Sequence, residues 1–250
     1  MCNIFNDNFQ NFKRYNIPKA QLVIADIPYN LGNNAYASSP EWYNNGNLLN
    51  GESKKANKQF FNSDLNFNLT EFFHFCGKLV KPEPKETNKA GCMIVFCAFQ
   101  QIYLLIEIAK KYGFKNSIPL FFIKKTSPQV LKANMRICGA MEYAVLFYRD
   151  KLPKFNNGGK MVLNYFAFDD SAKIPKIHPT QKPYKVIERL ITLFTDEGDV
   201  VIDPCCGSGV SVLCADNLNR KGFGFEIDRN FHKASLDFYK NNREQVLFAI

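Results

Sequence analysis

Six short apolar runs that alternate with helical patterns are the feature of this sequence that most constrains its fold. The runs are rich in Val, Ile and Phe without polar alternation, which is typical of strands buried on both faces of a sheet. The predicted strands cover residues 22–26, 92–97, 118–123, 143–148, 199–203 and 223–227. Helical patterns lie between or after them, at 69–80, 99–112, 184–195, 208–218 and 229–245. This alternation predicts a doubly wound α/β fold with a mostly parallel sheet.

The composition indicates a globular chain. Its 250 residues are 46% apolar and 14% aromatic, which argues against disorder and predicts a single domain over residues 1–250. An apolar run of about 18 residues is absent, and so is a basic-then-apolar start, so we expect neither a membrane span nor a secretory signal. The eight cysteines include no Cys-x-x-Cys pair, which argues against a zinc site. We expect reduced thiols in a cytoplasmic protein.

Positive charge is concentrated in one third of the chain. Residues 101–185 hold 15 Lys and Arg against 5 Asp and Glu, whereas the remainder is nearly balanced. Such a region can bind phosphates, because each cation that meets a phosphate releases condensed counterions. A generally lysine-rich protein would show the same excess, so charge alone leaves nucleic-acid binding open.

Two stretches break the alternation of strands and helices. Residues 30–68 are crowded with Asn, Gly and Ser, and a loop this long is usually functional or mobile. The stretch 150–177 is also irregular in pattern and carries five lysines, which are Lys151, Lys154, Lys160, Lys173 and Lys176. We expect a mobile loop at 30–68 and an irregular stretch at 150–177.

A glycine loop follows the fifth predicted strand, in the segment Asp203-Pro204-Cys205-Cys206-Gly207-Ser208-Gly209. Glycines let a ligand approach the backbone, and the helix that follows presents free N–H groups. The third glycine of a dinucleotide fingerprint is missing, since Val212 stands there. Asp203 would repel a pyrophosphate but suits a cation, and Glu226, at the next strand end, is placed to bind ribose hydroxyls. The segment predicts a pocket for an adenosine with a positively charged tail, such as S-adenosylmethionine; a tight turn with two solvated carboxylates is the alternative.

A second polar segment, Asp26-Ile27-Pro28-Tyr29, follows the first predicted strand. An exocyclic base amine is a poor nucleophile, because its lone pair is delocalised into the ring. A carboxylate and a backbone carbonyl can accept its two hydrogens, proline stiffens the turn, and an aromatic ring can stack on the base. A strand-ending turn in which Tyr29 covers the core remains the alternative.

These segments together resemble the amino-group DNA methyltransferases of the permuted beta class. Residues 26–29 match the family's Asp-Pro-Pro-Tyr motif, with Ile27 replacing the first proline, and 178–183 match its His-Pro-Thr-Gln-Lys-Pro segment. Residues 203–209 match Asp-Pro-Phe-x-Gly-Ser-Gly, with Cys205 in place of Phe. The likeness extends to 6–7, 76–82, 142–147 and 224–228, and the order of the motifs is specific to the class.

The resemblance implies a Rossmann-like methyltransferase sheet with circularly permuted motif order, S-adenosylmethionine as cofactor, and methyl transfer to adenine in flipped-out DNA. Asp26 and the Ile27 carbonyl would accept the amine hydrogens, next to Pro28, and Tyr29 would stack on the base. The implied cofactor-binding residues are Asp7, Thr180, Lys182, Asp203, Pro204, Cys205, Gly207, Ser208, Gly209, Glu226 and Asp228. The resemblance also implies a small target-recognition stretch at 150–177 and DNA contacts from 30–68 and 124–176. No metal is expected.

Several alternatives stay open. Methylation of the cytosine amine, of RNA or of protein uses related motifs, and an oxidoreductase or a non-enzymatic DNA-binding protein is the rival of another class. His178 as a general base and Cys205 as a ring-carbon nucleophile are less favoured by their positions. A homodimer and an accompanying restriction enzyme are compatible with the resemblance.

Overall fold

The computed structural model describes residues 2–29, 67–125, 129–132, 137–168, 174–178 and 180–243. The strands are β1 (Asn3–Phe5), β2 (Leu22–Asp26), β3 (Cys92–Cys97), β4 (Asn116–Lys124), β5 (Gln129–Lys132), β6 (Ile137–Gly139), β7 (Met141–Tyr148), β8 (Tyr165–Phe168), β9 (Val200–Asp203) and β10 (Lys221–Phe225). The α-helices are α1 (Leu69–Leu79), α2 (Ile102–Lys111), α3 (Tyr184–Phe194), α4 (Val210–Asn217) and α5 (Arg229–Arg243). Short 3-10 helices cover Phe9–Arg14 and Phe99–Gln101.

Eight of these strands form one sheet in the order β1-β10-β9-β2-β3-β7-β4-β8, and β5 pairs with β6. Strand β7 runs antiparallel to both neighbours, and the other pairings of the large sheet are parallel. The mostly parallel α/β fold predicted from the sequence is therefore confirmed. No helix within the described ranges is long and apolar enough to cross a bilayer.

Apolar layers cover both faces of the sheet. Phe72, Phe73 and Leu105, from α1 and α2, pack on one face, and Leu190 and Leu213, from α3 and α4, pack on the other. The central strands β2 and β3 are buried between these layers, which explains their continuous apolar sequences.

The sheet has two functionally different edges. We call the edge where β2, β3, β4, β9 and β10 end the carboxyl edge, and the opposite one the amino edge. Ligands of open α/β sheets bind at the carboxyl ends of the strands. Because β7 runs the other way, its first residues lie at the carboxyl edge, where Tyr143 pairs with Cys97, and residues after Tyr148 lie at the amino edge.

Several predicted boundaries need correction. Helix α4 begins at Val210 rather than 208, because Gly209 is left-handed (φ 75°), and β10 covers 221–225 rather than 223–227. The stretch 150–177 is not wholly irregular, since it contains β8, which pairs with β4. Strand β1 and the β5–β6 hairpin were not predicted. The predicted loop at 30–68 lies outside the described residues except for 67 and 68, where Asn68 caps α1.

Candidate active site

The segment after β2 is held against the end of β3 by hydrogen bonds. The Ile27 amide donates to the Phe96 carbonyl at 3.3 Å, and Gln101 Nε2 donates to the Pro28 carbonyl at 3.1 Å. Gln101 also accepts from the Ala98 amide at 3.0 Å, so one buried side chain joins the two strand ends. This fixes the direction in which the Asp26 carboxylate leaves the sheet.

Asp26 takes part in a largely buried row of alternating charges, which we call the charge row. Lys182 Nζ lies 2.7 Å from Asp26 Oδ2 and 3.3 Å from Glu142 Oε2, and Lys124 forms an ion pair with Glu142 on its other side. The Lys182 side chain is only 9% exposed. Its ammonium also lies over the rings of Phe96 and Tyr29, 5.2 and 6.0 Å from their centroids.

The second carboxylate oxygen of Asp26 is in a different situation. Oδ1 is buried and has no hydrogen-bond partner among the described residues. A buried acceptor without a donor costs free energy on the order of 1–3 kcal/mol. This oxygen is therefore available to a donor on a bound molecule.

Burial and charge act in opposite directions on these groups. Burial raises the pKa of the Asp26 carboxyl, and Lys182 partly offsets that rise. Burial alone would raise the pKa of Glu142, but Lys182 and Lys124 lower it to about 2. Burial alone would lower the pKa of Lys182, but Asp26 and Glu142 hold it well above its usual value. The row thus keeps Lys182 and Glu142 charged at neutral pH.

The glycine loop follows the neighbouring strand, β9, at the same edge. Gly207 and Gly209 both have positive φ, at 49° and 75°. A Cβ on Gly209 would lie 2.7 Å from Ile4 Cδ1, the end of a side chain that can shift, so it is mainly the left-handed φ that favours glycine there. Asp203 stabilises the loop, because its carboxylate accepts hydrogen bonds from the Cys205 amide at 3.0 Å and from Ser211 Oγ at 2.5 Å. Burial raises the pKa of Asp203 to about 7.

Glu226 stands at the end of β10 and bridges to the same loop. Its Oε2 accepts from the Gly207 amide at 3.0 Å, and its Oε1 accepts from the Asp228 amide at 2.8 Å. Asp228 itself accepts from the amides of Asn230 and Phe231 and so caps α5. Glu226 is thus the carboxylate that lies against the glycine loop, whereas Asp228 supports the helix.

Residues 174–178 and 180–183 connect the loop to the charge row. A Cβ on Gly207 would lie 3.5 Å from the His178 ring, and that ring packs edge-on against Phe231 at 4.3 Å. Burial and the nearby cations, Lys182 and Lys176, lower the pKa of His178 to about 4. His178 is therefore neutral at pH 7, and Thr180 Oγ1 lies 3.1 Å from its Nδ1.

The structure brings the two polar segments predicted from the sequence to one edge, on the adjacent strands β2 and β9. Pro204 and Ser208 are buried within the loop, and Cys205 is half-buried. Burial, together with Asp203, raises the pKa of the Cys205 thiol, which disfavours a thiolate nucleophile. Asp7 lies farther out, accepting hydrogen bonds from Asn11 and Tyr15 of its own segment.

Sequence reasoning assigned Lys182 to the cofactor, and the structure shows its ammonium on Asp26; contact with the cofactor stays a prediction. It overlooked the parts that Gln101 and Glu142 take in the site. Lys124 begins the stretch 124–176 that was expected to contact DNA, and in the structure it forms an ion pair with Glu142. The signal available for Glu142 was a carboxylate at the start of an otherwise apolar strand.

Two of the lysines expected to contact DNA lie at the amino edge, away from Asp26 and the glycine loop. Lys154 pairs with Asp196, and Lys151 Nζ donates to the Pro84 and Lys85 carbonyls at 2.6 and 3.0 Å. The backbone there pairs with Ala90, which precedes β3. Residues 151–154 thus lie at the amino edge, because β7 runs antiparallel to β3.

Comparison with known proteins gives a consistent match. A family model described as DNA methylase matches residues 20–237. Among curated relatives, the type II methyltransferase M2.DpnII of Streptococcus pneumoniae is 25% identical over 93% of this chain and 87% of its own length. The DNA adenine methyltransferase YhdJ of Escherichia coli (strain K12) is 23% identical over 93% of this chain and 80% of its own length.

Solved structures agree in fold. The M1.HpyAVI–SAM complex superposes with a TM-score of 0.69 at 22% identity, covering 95% of this chain and 98% of that one. The PvuII DNA methyltransferase, titled cytosine-N4-specific, gives a TM-score of 0.67 at 17% identity, covering 98% of this chain and 89% of that one.

Proposed function

This chain belongs to the DNA methylase family, and from that premise we propose that it transfers a methyl group from S-adenosylmethionine to the exocyclic amine of adenine in DNA. At the coarser level it is a DNA amino-methyltransferase that uses S-adenosylmethionine. The observation that carries the finer proposal is the Asp26 carboxylate, with one oxygen held by Lys182 and the other buried without a partner.

The free Asp26 oxygen suits the chemistry of an amine that must be made nucleophilic. Accepting one amine hydrogen at Oδ1, with the Ile27 carbonyl accepting the other, turns the nitrogen lone pair out of the ring plane. The bound cofactor supplies an electrophilic methyl on a positively charged sulfur. As the N–C bond forms, the C–S bond breaks with its electrons left on sulfur, and one amine proton leaves to solvent. Asp26 stabilises the charge on the amine during this step.

Tyr29 is the proposed stacking partner of the target base. It follows Asp26 by three residues on the stiff turn that Pro28 and Gln101 hold in place. Chemistry on a base amine requires the base to leave the duplex, and stacking on an aromatic ring is worth about 1–3 kcal/mol per base. Tyr29→Ala is expected to weaken capture of the flipped base.

The glycine loop fits the cofactor in charge and in shape. Gly207 and Gly209 leave the backbone bare, and Glu226 lies against it, where it can accept from ribose hydroxyls. Asp203 accepts a hydrogen bond from the loop and becomes ionised near neutral pH, and its negative charge then suits a sulfonium or an ammonium group. Roles for Asp7, Thr180, Pro204, Cys205, Ser208 and Asp228 in holding the cofactor are part of the proposal.

The cytosine amine is the second candidate, because the PvuII enzyme of similar fold is titled cytosine-N4-specific. Asp rather than Ser at the head of the motif favours adenine. The relatives named as type II methyltransferases also support DNA as substrate and a restriction enzyme as companion of this chain.

The decisive experiment supplies S-adenosylmethionine labelled in the methyl group and unmodified duplex DNA, followed by nucleoside analysis. We expect label in N6-methyladenine. Label in N4-methylcytosine would overturn the choice of amine, and label only in parallel RNA or protein reactions would overturn the choice of DNA. Asp26→Asn protein is the matched control for contaminating activity.

A further inference from the structure

The charge row at the carboxyl edge is assembled from four separate parts of the chain. Asp26 ends β2, Lys124 ends β4, Glu142 lies near the start of β7, and Lys182 precedes α3. The charges alternate in space, so the row is neutral as a whole. Breaking a buried ion pair by removing one partner leaves an uncompensated charge, which is strongly unfavourable. Each member therefore depends on its neighbour.

The two carboxylate oxygens of Asp26 differ in their hydrogen-bond partners. Oδ2 receives the Lys182 ammonium at 2.7 Å, whereas Oδ1 is buried without a partner among the described residues. A carboxylate held at one oxygen cannot rotate freely, so the direction of the other oxygen is fixed. Glu142 in turn holds Lys182 from a second side at 3.3 Å, and the Phe96 ring lies below it.

We propose that Lys182 is a positioning residue of the reaction, which holds Asp26 through Oδ2 so that Oδ1 stays free for the target amine, and that Glu142 keeps Lys182 in place. This inference rests on the proposed function. It gives Lys182 a role on the catalytic carboxylate rather than on the cofactor. Lys182 does not touch the amine, so it acts only through Asp26.

The charged groups around Asp26 allow the role of Lys182 to be tested by the pH dependence of the methylation rate. The titratable groups around Asp26 and Lys182 are Tyr29, Cys97, Glu142, His178, Asp203 and Cys205, and Lys124 lies behind Glu142. Lys182 itself is the cation in contact with Asp26. Without it, burial and the Glu142 charge favour the protonated Asp26 carboxyl, which would donate a hydrogen bond instead of accepting one.

The test measures single-turnover methylation of duplex DNA against pH, at saturating S-adenosylmethionine and DNA, for wild type, Lys182→Met and Lys182→Arg. For Lys182→Met we expect a rate lower by on the order of 10²-fold at pH 7. We also expect the acid limb to move up by about 1–3 pH units, because an opposite charge shifts a neighbouring carboxyl by that amount. The rate should therefore partly recover at alkaline pH, and Lys182→Arg should restore part of it at pH 7.

Controls separate positioning from cofactor binding and from folding. Lys185→Met removes an exposed lysine three residues away and should leave the profile unchanged. S-adenosylmethionine affinity of Lys182→Met, measured by calorimetry, should stay near wild type. Glu142→Gln, which keeps Lys182 but frees it on one side, should lower the rate by less than Lys182→Met. It should not move the acid limb up, because the Glu142 charge raises the pKa of Asp26. A rate unaffected by Glu142→Gln would contradict the part of Glu142 in holding Lys182, which keeps the inference testable if Lys182→Met does not fold.

A Lys182→Met profile that is lowered equally at every pH would overturn the inference and leave the proposed function intact. So would a loss of cofactor affinity as large as the loss of rate, since Lys182 would then be a cofactor ligand. Wild-type protein that methylates no base amine would overturn the proposed function itself.

Discussion

The charged groups described at the two edges of the sheet differ in how they are paired. At the amino edge, Lys81 pairs with Asp199 at 2.7 Å, and Arg149 donates to the carbonyls of Lys81 and Gly77 at 3.1 Å each. At the carboxyl edge, a carboxylate oxygen of Asp26 is buried without a partner, and burial raises the pKa of Asp203 and Glu226. Paired charged groups stabilise the sheet. Buried carboxyls with raised pKa values or unpaired oxygens are instead typical of sites that bind and react.

The largest expected difference is in methylation rate, between two variants that replace a carboxylate by an amide, one at each edge. Asp26→Asn should lower the single-turnover methylation rate by about 10²–10³-fold, roughly 2.7–4 kcal/mol, because a preorganised acceptor at the reacting centre is lost. Asp199→Asn, at the amino edge, should leave the rate nearly unchanged and lower the free energy of unfolding by about 1 kcal/mol or less. Similar rates for the two variants would remove Asp26 from the active site.

Glu226→Ala tests the proposed cofactor site at the carboxyl edge, which consists of the glycine loop and Glu226. Losing hydrogen bonds to a charged acceptor should weaken S-adenosylmethionine binding by about 1.5–3 kcal/mol, measured by calorimetry. Asp237→Ala, an exposed carboxylate on α5, is the control and should bind normally. Unaltered affinity in the Glu226 variant would place the ribose elsewhere.

Asp203 makes the same edge sensitive to pH. Its folded-state pKa is raised to about 7, above the unfolded value, so the carboxyl contributes stability at low pH that is lost as the pH rises toward 7. A positively charged cofactor favours the ionised form. Its affinity should therefore rise about fivefold between pH 6 and pH 7, as the ionised fraction of a group with pKa near 7 grows. Asp203→Asn should flatten this dependence, and a wild-type affinity without pH dependence would contradict the assignment.

The sequence allowed the strand ends and the glycine loop to be predicted because both are local signals. Asp26 and Asp203 each close a short apolar run, and Gly207 and Gly209 follow one of them directly. The contact between Lys182 and Asp26 joins residues 156 positions apart, so it depends on how β2 and the segment before α3 meet in space. No local pattern carries that information.

The direction of β7 was likewise invisible in its composition. An apolar run reads the same in either direction, yet here its reversal moves Glu142 to the carboxyl edge and carries Lys151 and Lys154 to the amino edge. The edge at which a basic residue lies therefore depends on strand direction and does not follow from its position in the sequence. The same reasoning places Lys125, which follows β4, at the carboxyl edge.

The smallest expected effect concerns these lysines and DNA. Lys125 and Lys176 are exposed and lie near the carboxyl edge, one after β4 and the other two residues before His178. Replacing both with Gln should lower DNA affinity several-fold and reduce the slope of log affinity against log salt by about 1.8, since each phosphate contact contributes about 0.9. Lys151→Gln with Lys154→Gln is the matched control at the amino edge. It removes the same charge, so an equal effect of the two pairs would mean a general attraction to the basic protein, and a larger effect of the control pair would place DNA on the opposite edge.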